Sequence, residues 1–323
     1  GNGSTQSITG VGFQPDWCWI KNRETATGHR VVDAVRGNTK TIYTNATQGE
    51  ETVSNMITSF DSDGFSLGND GGVNGNGNGT VSWNWKANGA GSANTDGSIN
   101  TTATSVNTTS GFSISKYTGT GSNATVGHGL GVVPSMFITK ELSSTSGWVV
   151  WHKSIGTSIL ELNETGASQS GSTYTNSTVP TSSVFSIGTS GDINQSGATY
   201  IAYCFADVTG YSKFGSYTGN ENTNGTFIYT GFKPAFVLFK KSTGSAANWQ
   251  LWDNKRDTFN PVEKALHPDA TSTASTDQDI DFLSNGFKMR TSASHLNANG
   301  VVYIYMAFGQ SLVGSNNIPC TAR

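Results

Sequence analysis

Asp277, Asp279 and Asp281 stand at alternate positions in Asp277-Gln278-Asp279-Ile280-Asp281, and a strand would set their three carboxylates on one face. Carboxylates gathered in this way can hold Ca²⁺ or, as a facing pair, hydrolyse a glycosidic bond. Like charges crowded against a core would be costly, so the run is expected on a solvated loop or edge. Ca²⁺ is the one cofactor it would take. The stretch Gly68-Asn69-Asp70-Gly71-Gly72-Val73-Asn74-Gly75-Asn76-Gly77-Asn78-Gly79 has the glycines of a phosphate loop but no Lys-Ser/Thr, and it lacks the repeated Asp of a calcium-binding nonapeptide. It reads as a hairpin loop. His29, His128, His152, His267 and His295 fall in separate contexts, without the spacing of a metal site or a triad. No catalytic residue is expected.

The tryptophans are a better lead. If Trp148-Val149-Val150-Trp151-His152 is a strand, Trp148 and Val150 share one face and Trp151 takes the other. The same parity places Trp249 with Leu251, and Trp252 opposite. One face must be core. The other is a second core layer, a subunit interface or an aromatic platform for sugar. Trp151 and Trp252 are therefore candidate interface or glycan-contact residues.

These residues sit in a framework that occurs three times. Gly12-Phe13-Gln14-Pro15 leads to Lys21, Gly131-Val132-Val133-Pro134 to Lys140, and Gly231-Phe232-Lys233-Pro234 to Lys240; the lysine follows the proline by six residues in each. Downstream blocks keep the order. Val31-Val32-Asp33 matches Val150-Trp151-His152 and Leu251-Trp252-Asp253, and each copy closes on a strand-like run: Val81–Trp85, Ile201–Phe205 and Ile304–Phe308. One fold copied three times follows. Period-2 alternation, frequent Asn-Gly and Asp-Gly turns and almost no helical period make the chain all-β, with three tandem β-sandwich (jelly-roll-like) domains. The expected division is 1–90 for the first repeat, 91–110 for a Gly/Ser/Thr/Asn-rich linker, 111–210 for the second repeat, 211–315 for the third and 316–323 for a tail.

Composition limits the partners. Charged residues are 13% of the chain and the net charge is −3, which argues against nucleic acid, because that partner needs a clustered basic face. No apolar run reaches the ~20 residues of a helical membrane span, so no membrane insertion is expected. Aromatics at 11% argue against disorder despite the polar loops. Cys18, Cys204 and Cys320 are odd in number and far apart, as expected of buried free thiols made in a reducing cytoplasm. A low-charge Ser/Thr/Asn surface can also pack on copies of itself without repulsion, so a homo-oligomer is expected.

Gly1–Trp17 with Asp33-Ala34-Val35-Arg36-Gly37, and the better-kept Tyr217-Thr218-Gly219-Asn220, Gly231–Phe236, Asp253-Asn254-Lys255-Arg256 and Phe282–Lys288, resemble a repeat of virion-associated proteins in tailed bacteriophages, many of marine hosts. The resemblance covers nearly the whole chain. It implies a non-enzymatic virion structural protein, a tail fibre or appendage or a capsid decoration, with other virion proteins, copies of itself and a host-surface glycan as partners. It would be made in the host cytoplasm and reside in the virion. Arg36 and Arg256 join the candidate contact residues on this ground, while the second copy has Ile155 at that place. The alternative from another class is a carbohydrate-binding module attached to a glycan-active enzyme. Tyr117-Thr118-Gly119 and Tyr217-Thr218-Gly219 end a strand that opens the second and third copies, whereas Gly1 already corresponds to their glycine. The first copy is therefore expected to lack its first strand and to show an open sheet edge. Upstream residues of a longer chain are the favoured filler; residues 90–110 and a neighbouring subunit are the others.

Overall fold

The computed structural model describes residues 1–276 and 280–309 of the 323. The first copy contains β1 (Gln6–Ile8), β2 (Trp17–Asn22), β3 (Arg30–Asp33), β4 (Lys40–Tyr43), β5 (Glu51–Thr52), β6 (Ile57–Asp61), β7 (Gly64–Leu67), the one-turn helix α1 (Gly71–Asn74) and β8 (Thr80–Trp85). The second contains β9 (Ala103–Asn107), β10 (Phe112–Thr118), β11 (Ala124–Gly127), β12 (Met136–Glu141), β13 (Trp148–His152), β14 (Leu160–Glu161), β15 (Val184–Ile187), α2 (Gly191–Asn194) and β16 (Thr199–Phe205). The third contains β17 (Ser212–Thr218), β18 (Phe227–Tyr229), β19 (Pro234–Lys241), β20 (Gln250–Asp253), β21 (Ile280–Leu283), β22 (Gly286–Met289), α3 (Ser294–Asn297) and β23 (Val302–Gly309). The fold is all-β and sandwich-like, as the alternation of apolar side chains requires.

Each copy sets a larger antiparallel sheet against a smaller one. The larger sheets run β5-β4-β3-β2-β8, β14-β13-β12-β16-β10-β9 and β17-β23-β19-β20; the smaller run β1-β7-β6, β11-β15 and β18-β22-β21. Side chains alternate across a strand, so every second residue enters the space between the sheets. Cys18, Ile20 and Val32 meet Phe65, Leu67 and Val73 in the first core. Phe137, Trp151 and Tyr200 meet Phe185, Ile187 and Ile193 in the second, and Val237, Phe239 and Trp252 meet Phe287, Met289 and Leu296 in the third. Lys21, Lys140 and Lys240 occupy the same register at the end of the central strand. They pair across to Val81, Ile201 and Ile304 of the closing strand.

Two features depart from the sequence reading. Residues 91–110 are not a linker. Ala103–Asn107 is β9, the edge strand of the second copy's six-stranded sheet, and Ile99 is buried in that copy's core. Its polar side chains are satisfied where they are buried: the Thr104 hydroxyl bonds those of Thr101 and Ser115, the Ser105 hydroxyl accepts from Asn88 N, and Thr104 pairs through its backbone with Ser92 on the outer side. The chain also forms two compact units rather than three. Gly1–Glu164 and Ser168–Ala206 belong to one, so the first two copies are fused, and the second unit is built on the third copy.

The large sheet of the first copy ends at β8. Among the described residues no strand lies beyond it, whereas the corresponding β16 and β23 are each covered by a further strand, β10 and β17.

Candidate functional site

The surface that joins the first two copies grows from β2. Its even-numbered Cys18 and Ile20 point into the first core, so Trp17 and Trp19 must emerge on the other face. Trp17 is not left to solvent. Its ring centroid lies 4.5 Å from Trp85, 4.9 Å from Tyr203, 5.6 Å from Phe112 and 5.7 Å from Phe205. Phe112 stacks on Phe205 at 4.8 Å. Trp85 belongs to β8, and Phe112, Tyr203 and Phe205 to β10 and β16, so the two large sheets meet face to face through aromatic rings. Side chains of this size bury about 150–250 Å² each and dominate the energetics of such a contact.

A charged clasp stands beside the aromatic layer. Arg36 Nε donates to Asp33 Oδ2, its Nη2 donates to the Val31 carbonyl at 3.0 Å, and Nη1 lies 3.4 Å from Glu50. From the second copy, the Tyr203 hydroxyl donates to Asp33 Oδ2 at 2.7 Å. Burial works against the Arg36 charge, but the Asp33 carboxylate, helped by Tyr203 and Glu50, outweighs it and holds the guanidinium proton more tightly than usual. Burial, with the Asp33 charge, pushes the Tyr203 hydroxyl well up, so it stays a donor. The Trp148 indole N–H donates to the carbonyls of Tyr43 at 2.9 Å and Ala46 at 3.2 Å, and Lys140 Nζ donates to the Thr47 carbonyl at 3.1 Å. Burial lowers Lys140 to about 8, although Glu141 and Asp192 oppose the shift. Lys21 is lowered to about 8 by burial and by Arg30.

The predicted contact residues fall elsewhere. Trp151 and Trp252 are 2% and 0% exposed and lie inside the cores of their own copies. They cannot form a glycan platform, because the parity that turns Trp148 outward turns them inward. Trp148 is the residue at the junction. Arg36 and Arg256 are also buried. Arg256 repeats the clasp within the third copy, with Nε donating to Asp253 Oδ2 at 2.6 Å and Nη2 to the Leu251 carbonyl at 3.1 Å. Both arginines close a strand end instead of meeting a ligand. Asp281 pairs with Arg290 at 3.4 Å, while Asp277 and Asp279 lie outside the described residues, as does Cys320. Among the described residues no group of three or more His, Cys, Asp or Glu is placed to hold a metal. Cys18 and Cys204 are free and buried.

Two polar, solvent-facing grooves lie on the third copy. A groove of about 440 Å³ is lined by Thr223, Asn224, Asn260, Asp281 and Arg290. A second, of about 320 Å³, shares Asn260 and adds Lys233, Asp257 and Phe259. Phe259 is 84% exposed.

One set of residues escaped the sequence reading. Asn74, Asn194 and Asn297 end the three one-turn helices and are fully buried. Asn194 Oδ1 accepts from Thr120 N at 2.7 Å, and its Nδ2 donates to the carbonyls of Ser122 and Gly188, each at 2.6 Å. Asn74 and Asn297 make the corresponding bonds to Asn2 N, Ser4 O and Gly68 O, and to Asn220 N, Asn222 O and Thr291 O. The signal was present: an apolar residue followed by Asn, six or seven residues before the closing strand's second position, as Val73-Asn74, Ile193-Asn194 and Leu296-Asn297.

A family model described as a domain of unknown function (DUF7483) matches residues 1–311. Comparison with curated proteins and with solved structures finds no match.

Proposed function

The chain belongs to the DUF7483 family, a domain of unknown function; from its sequence resemblance to virion-associated repeats we infer that it is a non-enzymatic structural protein of a tailed-bacteriophage virion, part of a tail fibre or appendage or of a capsid decoration. One observation carries the structural role. The outward face of the first copy's large sheet, the natural place for a ligand platform, is sealed against the second copy by Trp17, Trp85, Phe112, Tyr203 and Phe205. Titratable groups follow the same rule: Arg36, Asp33, Lys140 and Arg256 hold backbone or each other. Such an arrangement serves stiffness and assembly, with other virion proteins and copies of the chain as neighbours. The phage assignment rests on the sequence resemblance. Mass spectrometry of purified particles and immunogold labelling with an antibody to the chain test it. Absence from purified virions, with abundance in the lysate, would count against it.

The grooves of the third copy favour a second reading, glycan contact. Amide, carboxylate and guanidinium groups beside an exposed ring suit a sugar's hydroxyls and its apolar face. Glycan-array binding that is lost in Phe259→Ala and Asn260→Ala would support it.

A further inference from the structure

The third copy carries two large rings on its surface where the other copies carry small residues. In β18 the Ile228 side chain enters the core opposite Phe287, while Phe227 and Tyr229 alternate outward and are 44% and 65% exposed. Val126 holds the place of Ile228 in the second copy, opposite Phe185, and Ile8 holds it in the first, opposite Phe65. Their neighbours are Thr125 and Gly127, and Ser7 and Thr9. Glycines make room for the rings. A Cβ at Gly286, directly opposite Tyr229, would lie 3.1 Å from the Phe227 ring, and one at Gly231 would lie 3.8 Å from the Tyr229 ring.

The backbone beside these rings is unpaired. The Thr226 carbonyl accepts from Met289 N–H and Thr230 N–H donates to the Asn285 carbonyl, so Thr226, Ile228 and Thr230 turn their backbone groups to β22. Those of Phe227 and Tyr229 turn the other way, and among the described residues no strand or bridge lies there. The second copy fills the same side. Thr125, at the place of Phe227, accepts from Ile99 N–H at 3.0 Å and donates its own N–H to Ser98 Oγ at 2.9 Å, and Ile99 enters that copy's core. The covering segment comes from residues 86–111, which join β8 to β10. Residues 206–211 join β16 to β17, turn back at once where Val208 bridges Ser212, and leave no such length for the third copy. The open side of β18 follows from this short internal connection.

Sheet edges are ordinarily guarded by a charge, a proline or a bulge. Gly225-Thr226-Phe227-Ile228-Tyr229-Thr230-Gly231 has no charge and no proline, and its ladder to β22 runs without a register shift. The segment is also self-complementary. A twofold axis through Ile228 sets Phe227 opposite the partner's Tyr229, and Tyr229 opposite the partner's Phe227. Each of these pairs exchanges the N–H and C=O groups that face outward. One row across the joined sheet then reads Lys288, Phe227, the partner's Tyr229, the partner's Gly286, so no like charges face each other.

We propose that β18 is a self-association edge, pairing antiparallel with β18 of a second molecule of this chain in the register Phe227 to Tyr229, so that two β18-β22-β21 sheets become one. Cross-strand aromatic pairs add to the backbone bonds. An interface this small is of the weak, transient kind, dissociating on the order of 10 µM or weaker, and it gains strength where several molecules are held in one assembly. The inference rests on the reading that molecules of this chain are neighbours and names the surface they share. The virion assignment is separate and has its own test.

Sedimentation velocity of the 323-residue chain over a concentration series should show a monomer–dimer equilibrium, and hydrogen exchange at Phe227 and Tyr229 should slow as concentration rises. Tyr229→Lys should weaken association about tenfold or more, because the change is met at both pairs. Phe227→Pro removes an outward N–H and leaves the ladder to β22 whole, so it should do the same with the thermal midpoint little changed. Phe227→Glu alone should also weaken association. Combined with Tyr229→Lys in one chain it sets opposite charges at both pairs and should restore part of what either change loses. That recovery reads the register, and a folding defect would not produce it. Association of Tyr229→Lys equal to the parent's overturns the β18 edge while leaving self-association in place. A parent chain that stays monomeric up to about 1 mM overturns both. Protection at Phe227 and Tyr229 that does not change with concentration overturns pairing between molecules, since the chain's own residues would then cover the edge.

Discussion

At the scale of single residues, buried polar groups decide more than the aromatic count suggests. Asp33 accepts from Arg36 and Tyr203 at once. Removing one donor leaves a buried carboxylate short of a partner. We expect Tyr203→Phe to cost about 1–3 kcal/mol in urea unfolding. Arg36→Met strips the charge partner itself and should cost more, about 3–5 kcal/mol; a smaller effect than that of Tyr203→Phe would refute the clasp. Lys140 gives a pH signature. Its folded value, about 8, lies below the ordinary 10.5. Below pH 8 it is protonated in both states and the folded state carries the burial penalty. Between about pH 8 and 10.5 only the unfolded state keeps the proton, so this group's contribution to stability rises with pH. Buried Cys18 and Cys204 are shifted upward and oppose the trend as pH passes their unfolded values, so the comparison must be against Lys140→Met. The stability of the parent minus that of Lys140→Met should grow by on the order of 2 kcal/mol from pH 7.5 to 10. A flat difference would show that the ammonium is not buried.

Elements are held by the asparagine pins as much as by the strands. A one-turn helix is too short to be stable alone. In α2 its position comes from Asn194, which ties the loop after Tyr117-Thr118-Gly119 to the end of β15. Asn194→Ala should cost about 2–4 kcal/mol, because several buried groups lose partners together. Asn194→Asp should be worse near neutral pH, since it aims a carboxylate at the carbonyls of Ser122 and Gly188. Chemical denaturation of both variants checks the order, and an aspartate variant as stable as the parent would remove the pin. The repeated strands stood out in the sequence and this device did not, because a two-residue pair ahead of the closing strand is masked in a chain so rich in Asn.

For the molecule as a whole, the fused first unit predicts shared unfolding. Trp17 belongs to the first copy by chain, yet it packs on Phe112, Tyr203 and Phe205 of the second. Trp17→Ala should cost about 3–5 kcal/mol. Hydrogen exchange should then quicken in β10 and β16 as well as in β2 and β8. Loss of protection confined to the first copy would mean that the two sandwiches are independent despite their contact.

What the sequence determined by itself was whatever repeats at a fixed local interval. The Pro-to-Lys spacing set the central strand and its register three times over, and alternation set which side chains share a face. That is local geometry, and a period-2 pattern carries it in full. Which face is inward was not legible: Trp148 and Trp151 are equally apolar, and only the partner layers assign one to the junction and the other to the core. Residues 91–110 misled for a related reason, since a strand whose buried hydroxyls are satisfied by tertiary partners has no composition that separates it from a loop. The clasp of Asp33, Arg36 and Tyr203 spans about 170 residues of chain. Such a contact exists only once two sheets have met, because the energy that favours it comes from excluding water on both sides together.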